Sequence, residues 1–231
     1  MRGTGSPAYT QLRGRFDFCY PRPYLRTMCG QFEALLQIKR LMDEMRLEGG
    51  IDQPSYDVVK PTLGAPILIS HPDHGGLEMT NMRFGLVPHW YRQSVKDFKA
   101  TTFNARVEEV SEKPTFKGAF KYRRGIVPAE AFYEWSGPKN DRRKWRITRG
   151  DNHPLGFAAI WDEALCTEGE LFSFALLTRA AGPDMSAIHT REPIALAPDQ
   201  WEDWIRLRPV DTSTPAPLRL TPDDGGSALL F

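Results

Sequence analysis

The stretch Arg124–Trp135, RGIVPAEAFYEW, decides the fold class of this chain. Its apolar and aromatic runs predict two strands, Arg124–Val127 and Phe132–Trp135, on either side of a Pro-Ala-Glu-Ala segment. Similar runs follow and predict more strands, at Lys144–Thr148, Phe157–Trp161, Leu171–Thr178 and Ile194–Ala197. Upstream, turn residues separate Pro66–Ser70 from Leu77–Phe84, so that these two segments predict a hairpin.

Helices are predicted at three places. Apolar residues recur at helical spacing from Phe32 to Met45, and a third helix follows Pro198. Between them, a second helix is expected over Val107–Lys121, broken or started again near Pro114. Strands outnumber helices and do not alternate with them. The pattern therefore predicts a single-domain α+β fold, with a mainly antiparallel, barrel-like β-sheet and flanking helices.

The two ends of the chain are expected to lie outside the folded domain. Residues 1–27 carry scattered Arg, Pro and Gly without periodicity, which predicts a flexible extension or a mis-assigned leader. The domain is then expected over residues 28–208. The segment 209–231, rich in Pro, Thr, Asp and Gly, predicts a loosely attached tail.

Composition excludes several classes of protein. A chain of 231 residues with 41% hydrophobic and 26% charged residues is typical of a globular protein, and its longest apolar runs are far shorter than the roughly 20 residues of a spanning helix. Three cysteines, Cys19, Cys29 and Cys166, are an odd number at wide spacing, which favours a reducing compartment over a disulfide framework. These observations favour a cytoplasmic protein without a membrane partner, and we expect a monomer.

The net charge of +1 conceals a strongly basic segment. Between Lys113 and Arg149 there are many Lys and Arg residues and few carboxylates, interleaved with aromatic residues. Cations that follow a phosphate backbone and rings that stack on bases are typical of a single-stranded nucleic-acid groove. The alternative is that the rings are core residues and the cations a solvated face.

Motifs for common cofactors are missing from the sequence. It has no phosphate-binding loop, no dinucleotide-binding glycine pattern, no nucleophile elbow and no zinc-protease helix. His71 and His74 share a turn without further ligands in a metal-binding pattern. We expect neither a cofactor nor a metal.

Four separated clusters hold reactive side chains: MCGQF at 28–32, TFNAR at 102–106, VPAEAFYEW at 127–135 and IHTREP at 188–193. They supply a thiol (Cys29), an amide (Asn104), a carboxylate (Glu134) and an imidazole (His189). Together these groups match a nucleophile with acid–base partners. Taken singly, they are more typical of a buried cysteine, a helix cap, an ion-pair partner and a buried histidine.

In this order the clusters resemble the SOS-response-associated peptidase (SRAP) family, whose members sense abasic sites in single-stranded DNA. The segments FGLVPHW at 84–90 and YDVVKP at 56–61 extend the resemblance, which runs from Met28 to about Trp204. It implies that Cys29, with a free α-amine after processing or a start at Met28, forms a thiazolidine crosslink with the ring-opened abasic sugar. Glu134 is then the general acid–base, Asn104 a ligand of the sugar, and His189 a proton-transfer group.

The resemblance also implies a set of DNA contacts. Arg106 and Arg191 are expected to contact phosphates. Trp90, Tyr91 and Pro61 are expected to wedge between the flanking bases or to stack on them. Gln31 stands at a DNA-binding position where the family has arginine, while Asp57 and Glu192 replace asparagine and methionine. The added negative charge and the lost positive charge predict weaker phosphate binding. The alternatives are a non-covalent single-stranded DNA-binding protein and a thiol peptidase or autopeptidase that uses Cys29.

Overall fold

Twelve strands form one sheet in the computed structural model, which describes residues 30–35, 37–45, 47, 58–138 and 140–223. The strands are β1 Phe32–Ala34, β2 Val58–Val59, β3 Gly64–Ser70, β4 Leu77–Phe84, β5 Asn104–Arg106, β6 Arg124–Ser136, β7 Arg143–Arg149, β8 Leu155–Cys166, β9 Gly169–Ala180, β10 Arg191–Pro193, β11 Ala195–Leu196 and β12 Leu218–Pro222. The helices of the described residues are α1 Ile38–Glu44, α2 Lys117–Tyr122 and α3 Trp201–Ile205. None of them is long and apolar enough to cross a membrane.

Five of these strands close into a barrel. They follow the order β8-β9-β4-β3-β6, and β6 pairs back with β8 along Arg124–Ala129. The pairings are antiparallel except that of β4 with β9, which is parallel. The predicted α+β fold with a mainly antiparallel, barrel-like sheet is confirmed.

The two faces of the sheet carry separate apolar clusters. The barrel core is the cluster that contains Phe32, Phe84, Phe103, Phe132, Phe157, Phe174, Leu176 and Met185. Its rings pack edge to face or stacked, with the centroids of Phe32 and Phe84 5.4 Å apart and those of Phe84 and Phe174 5.2 Å apart. The other cluster contains apolar residues of all three helices, so the helices cover the outside of the barrel.

A β-bulge in β6 determines which side chains point into the barrel. Ala34 and Glu33 of β1 pair with Ala129 and Ala131, so Glu130 is an extra residue on β6. An extra residue reverses the alternation of side chains along a strand. Ala129 and Phe132 consequently both lie in the barrel core, although they are three residues apart.

Four elements differ from the prediction. Phe32–Ala34 is a strand, and the helix begins only at Ile38, because the Phe32 side chain is completely buried in the barrel core. Residues 107–116 form turns around Pro114, so the second helix is limited to α2. Strand β6 is continuous through the Pro-Ala-Glu-Ala segment.

The segment after 208 is the fourth difference. Residues 218–222 form β12, which pairs along its whole length with β7, and the Arg179 guanidinium donates to the carbonyl of Thr212 at 3.2 Å. The prediction of a loosely attached tail is therefore wrong for the described part of this segment. The edge of β7 offers unpaired backbone groups, and β12 forms hydrogen bonds with them. The predicted extension 1–27 and residues 224–231 lie outside the described residues.

Candidate active site

Asn104 and Glu134 point toward the same face of the sheet. Asn104 pairs with Leu176 of the barrel core, and partners in a ladder share a face. Beyond the bulge, Glu134 lies two residues after Phe132 and pairs with Trp145, which packs against the barrel core. Glu134 is 5% exposed. Strands β5 and β6 thus each present one polar side chain to the inside of the barrel.

The beginning of the described chain lies between these two strands. A Cβ atom at Gly30 would lie 3.9 Å from the ring of Phe103, the residue before Asn104. The carbonyl of Gln31 accepts a hydrogen bond of 3.0 Å from the amide of Tyr133, the residue before Glu134. Cys29, the predicted nucleophile, lies outside the described residues and directly precedes Gly30 in the sequence.

An ion-pair network on the outer face of the sheet fixes β1, which follows Gln31. Arg146 donates from Nε and Nη2 to the Glu33 carboxylate at 2.8 and 2.5 Å, and the Tyr133 hydroxyl donates to the same carboxylate. Burial would raise the pKa of Glu33, but these hydrogen bonds outweigh it and hold the pKa below its ordinary value. The charged carboxylate therefore fastens β1 to β6 and β7 at neutral pH.

His189 ends a loop that is anchored in the barrel core. The loop joins β9 to β10, and its Met185 side chain is fully buried in the same cluster as Phe32 and Phe103. The amide of Arg191 donates to Nδ1 of His189 at 3.1 Å. Because Nδ1 acts as an acceptor there, a neutral His189 ring carries its proton on Nε2.

The two arginines predicted to contact phosphates differ in their surroundings. Arg106 is exposed, and within the described ranges its ion-pair partner is Glu109, on the surface at 3.3 Å. Arg191 binds both carboxylate oxygens of Glu108, at 3.1 and 2.8 Å, and donates to the carbonyl of Thr178 at 2.7 Å. Arg106 is thus available to an incoming anion, whereas Arg191 connects β10 to the end of β9 and to the segment after β5.

The predicted base-contacting residues also differ. Trp90 is 52% exposed. Tyr91 is half-buried, with its ring against Phe98 and its hydroxyl donating to the carbonyl of Ser94 at 2.9 Å. Pro61 is half-buried in a turn that the hydrogen bond from the Leu63 amide to the Lys60 carbonyl closes. Of the three, Trp90 offers the most accessible ring.

Glu192 does not add negative charge to the phosphate-binding region, and that expectation is wrong. Its side chain is 2% exposed on the opposite face of β10 from Arg191. One carboxylate oxygen accepts from Nε and Nη2 of Arg179 at 2.9 and 2.5 Å, and the other accepts from the amide of Gly182 at 2.9 Å. Glu192 thus neutralises Arg179 and fixes the start of the loop that carries His189. Asp57 lies outside the described residues.

Sequence reasoning missed two carboxylates that anchor chain segments by ion pairs, Glu108 with Arg191 and Asp162 with Arg123. Glu108 directly follows the NARV segment, and no local pattern reveals its pairing with Arg191, which is 83 residues away. The importance of Asp162 could have been recognised from the sequence, because a carboxylate within the long apolar run of β8 must have a partner when it is buried. Among the described residues, no group of His, Cys, Asp and Glu side chains is arranged to hold a metal ion.

Comparison with known proteins finds relatives in sequence and in fold. YoaM, an abasic site processing protein of Bacillus subtilis (strain 168), is 29% identical over 80% of this chain and 82% of its own length. The abasic site processing protein HMCES of Gallus gallus is 30% identical, over 81% of this chain and 63% of its own. A crystal structure of a protein from Bordetella bronchiseptica has a TM-score of 0.73 at 26% identity, covering 84% of this chain and 99% of that one. Residues 28–226 match the SOS response associated peptidase (SRAP) family, and the chain therefore belongs to that family.

Proposed function

We propose that this chain recognises abasic sites in single-stranded DNA and bonds to them through Cys29. The observation that carries the proposal is the convergence of four chain segments on the barrel core. Phe32, Phe103, Phe132 and Met185 all belong to this cluster, and each lies within four residues of a predicted site residue. The relatives are named abasic site processing proteins, and these names indicate the class of substrate.

The proposed reaction uses two groups of one residue. The α-amine of Cys29 adds to the aldehyde of the ring-opened sugar and releases water, which leaves an imine. The sulfur then attacks the imine carbon, and its proton passes to the nitrogen as the five-membered thiazolidine closes. The net change is the loss of one water. The amine must be free, so the reaction requires that no peptide bond joins Met28 to Cys29.

Glu134 is the best placed general acid–base for these steps. It is buried and on the interior face of β6, and the neighbouring residue Tyr133 bonds to Gln31, two residues after Cys29 in sequence. A buried carboxylate can take the proton of the attacking amine and then return it to the hydroxyl that departs as water. Asn104 would hold the opened sugar by hydrogen bonds, and Nε2 of His189 would exchange protons with the intermediate.

Cys166 is a poor alternative nucleophile. It is 6% exposed, and burial raises the pKa of its thiol, so little thiolate is present at neutral pH. Of the two cysteines in the predicted domain 28–208, Cys29 therefore remains the candidate for covalent chemistry, and substitution of Cys166 serves as a control.

The test is adduct formation by a protein that begins at Cys29. We expect this protein to form a heat-stable adduct with an abasic single-stranded oligonucleotide, with an intact mass equal to the sum of the two molecules less one water. Cys29→Ser keeps the amine but lacks the thiol, so its imine should survive heating only after borohydride reduction. Glu134→Gln should slow the adduct by about a hundredfold or more.

The controls separate the alternatives. Cys166→Ser should form the adduct at the wild-type rate, and a chain that retains residues 1–28 should form none. The proposal is wrong if the trimmed protein, with its mass verified, binds abasic DNA without bonding to it. Turnover of peptides that depends on Cys29 would instead identify a peptidase.

A further inference from the structure

Asp162 is a buried carboxylate that joins two surface elements. It is 1% exposed, and its Oδ2 accepts from the amide of His89 at 2.9 Å and from Nδ1 of the same residue at 3.1 Å. Its Oδ1 lies 2.7 Å from Nη2 of Arg123, the residue after α2. The loop that carries Trp90 and the end of α2 are therefore fastened to one point on β8.

The imidazole of His89 is oriented by this arrangement. Its Nδ1 faces Asp162, and its side chain is 56% exposed. A Cβ atom built at Gly118 of α2 would lie 3.6 Å from Cε1 of His89, so the ring rests against the helix. The opposite ring nitrogen, Nε2, is thereby directed away from Asp162.

Two large aromatic side chains are exposed on these elements. Trp90 is 52% and Tyr122 is 60% exposed. Tyr122 lies four residues after Gly118 on α2, and positions four apart share a helix face. His89 therefore joins the loop that carries Trp90 to the helix face that carries Tyr122.

The same surface carries cations. Nζ of Lys121 lies 4.8 Å from the centre of the Tyr122 ring, and the Arg92 guanidinium donates to the carbonyl of His89. Lys117, at the start of α2, is also exposed. The buried charge of Asp162 is balanced by Arg123 and so does not offset these cations.

We propose that this surface, composed of His89, Trp90, Arg92, Lys121 and Tyr122, binds the single-stranded DNA that flanks the abasic site. The rings stack on flanking bases, and the cations contact the phosphates between them. Asp162 is a positioning residue, because it fixes the loop of Trp90 against α2 without contacting DNA. The inference rests on the proposed function and extends the DNA contacts beyond the lesion onto α2.

The test compares long and short DNA. Non-covalent affinity is measured by fluorescence anisotropy in the Cys29→Ala background. The oligonucleotides carry a tetrahydrofuran in place of the abasic sugar, which has no aldehyde to bond with the free amine, and their flanks are either long or only one nucleotide on each side. Tyr122→Ala should weaken binding of the long oligonucleotide about fivefold or more, and should leave binding of the short one unchanged. Tyr122→Trp should restore the affinity, since it restores a stacking ring.

Asp162→Asn tests the positioning role. We expect it to reduce affinity for the long oligonucleotide as Tyr122→Ala does. In the chain with Cys29 intact, it should leave the rate of adduct formation at saturating DNA unchanged. Because Asp162 is buried and paired with Arg123, the variant should lose thermal stability in either case. A merely structural role would also lower the rate and the affinity for short DNA. Leu207→Ala removes another exposed apolar side chain, beside α3, and should have no effect on either oligonucleotide.

Equal binding of long DNA by Tyr122→Ala and its parent would overturn the inference. An equal loss of affinity for long and for short DNA would also overturn it. Neither result bears on adduct formation by the intact Cys29 protein, which tests the proposed function separately.

Discussion

The substitution Glu192→Met leaves a buried arginine without its counter-charge. Arg179 is 7% and Glu192 2% exposed, and the carboxylate accepts two hydrogen bonds from Arg179 and one from the Gly182 amide. Methionine has a similar volume but accepts none of these bonds. Removal of one partner from a buried ion pair costs about 3–5 kcal/mol, because the remaining charge is desolvated and unpaired.

The loss should be visible in unfolding experiments. A domain of this size loses about 2–4 °C of melting temperature for each kcal/mol, so we expect a decrease of about 6–20 °C for Glu192→Met. Urea unfolding followed by tryptophan fluorescence gives the free energy directly, since the chain contains six tryptophans. The hydrogen bond to Gly182 is lost as well, and adduct formation should slow because the loop that carries His189 is no longer fixed.

The double variant Arg179→Met/Glu192→Met distinguishes an unpaired charge from a cavity. Two apolar side chains of similar volume leave no buried charge, so the double variant should regain at least half of the lost stability. Stability of Glu192→Met within about 1 kcal/mol of the wild type would refute the reasoning. A double variant less stable than the single one would also refute it.

Three other substitutions follow from the contacts. Gly156→Ala should cost about 3 kcal/mol in urea unfolding, because the added methyl would overlap the indole of Trp201, which is 1% exposed. A hydrogen bond from Arg149 lowers the pKa of Asp151 to about 2. The charged carboxylate thus stabilises the fold at pH values above 3.8, its ordinary pKa in the unfolded chain, and this contribution is lost as the pH falls through about 2. Asp151→Asn should therefore lower the unfolding midpoint at pH 7, and its difference from wild type should shrink toward pH 2. Arg106→Ala should weaken DNA binding and reduce the slope of log affinity against log salt by about 1.

Each of these predictions has a control. A Cβ at Gly150 would make only ordinary contacts of 3.5 Å or more, so Gly150→Ala should be nearly neutral in the same assay. Asp73→Asn changes an exposed carboxylate in the turn of the β3–β4 hairpin and should show no comparable pH dependence. Lys39→Ala removes an exposed cation on α1 and should leave the salt dependence of DNA binding unchanged. Equal effects in variant and control would contradict the corresponding prediction.

The local pattern of apolar runs and turn residues was enough to predict much of the sheet. The hairpin of Pro66–Ser70 and Leu77–Phe84 is confirmed as β3 and β4, and the strand predicted at Lys144–Thr148 is confirmed as β7. The helix predicted from Phe32 was wrong in its first turn, because apolar residues at 32, 35 and 38 suit a helix as well as a strand followed by a helix. The choice depended on pairing with β6, which is about a hundred residues away.

The sequence alone determined the kinds of reactive group, their order along the chain and the family, since these depend only on residue identity and spacing. Tertiary structure decided which groups face one another. The bulge at Glu130 turns Glu134 into the barrel, and pairing across the fold buries Glu192 against Arg179. Glu108 likewise meets Arg191 only in the folded chain. The physical reason is that strand partners and buried charges are selected by contacts between residues distant in sequence, whose register no local pattern fixes.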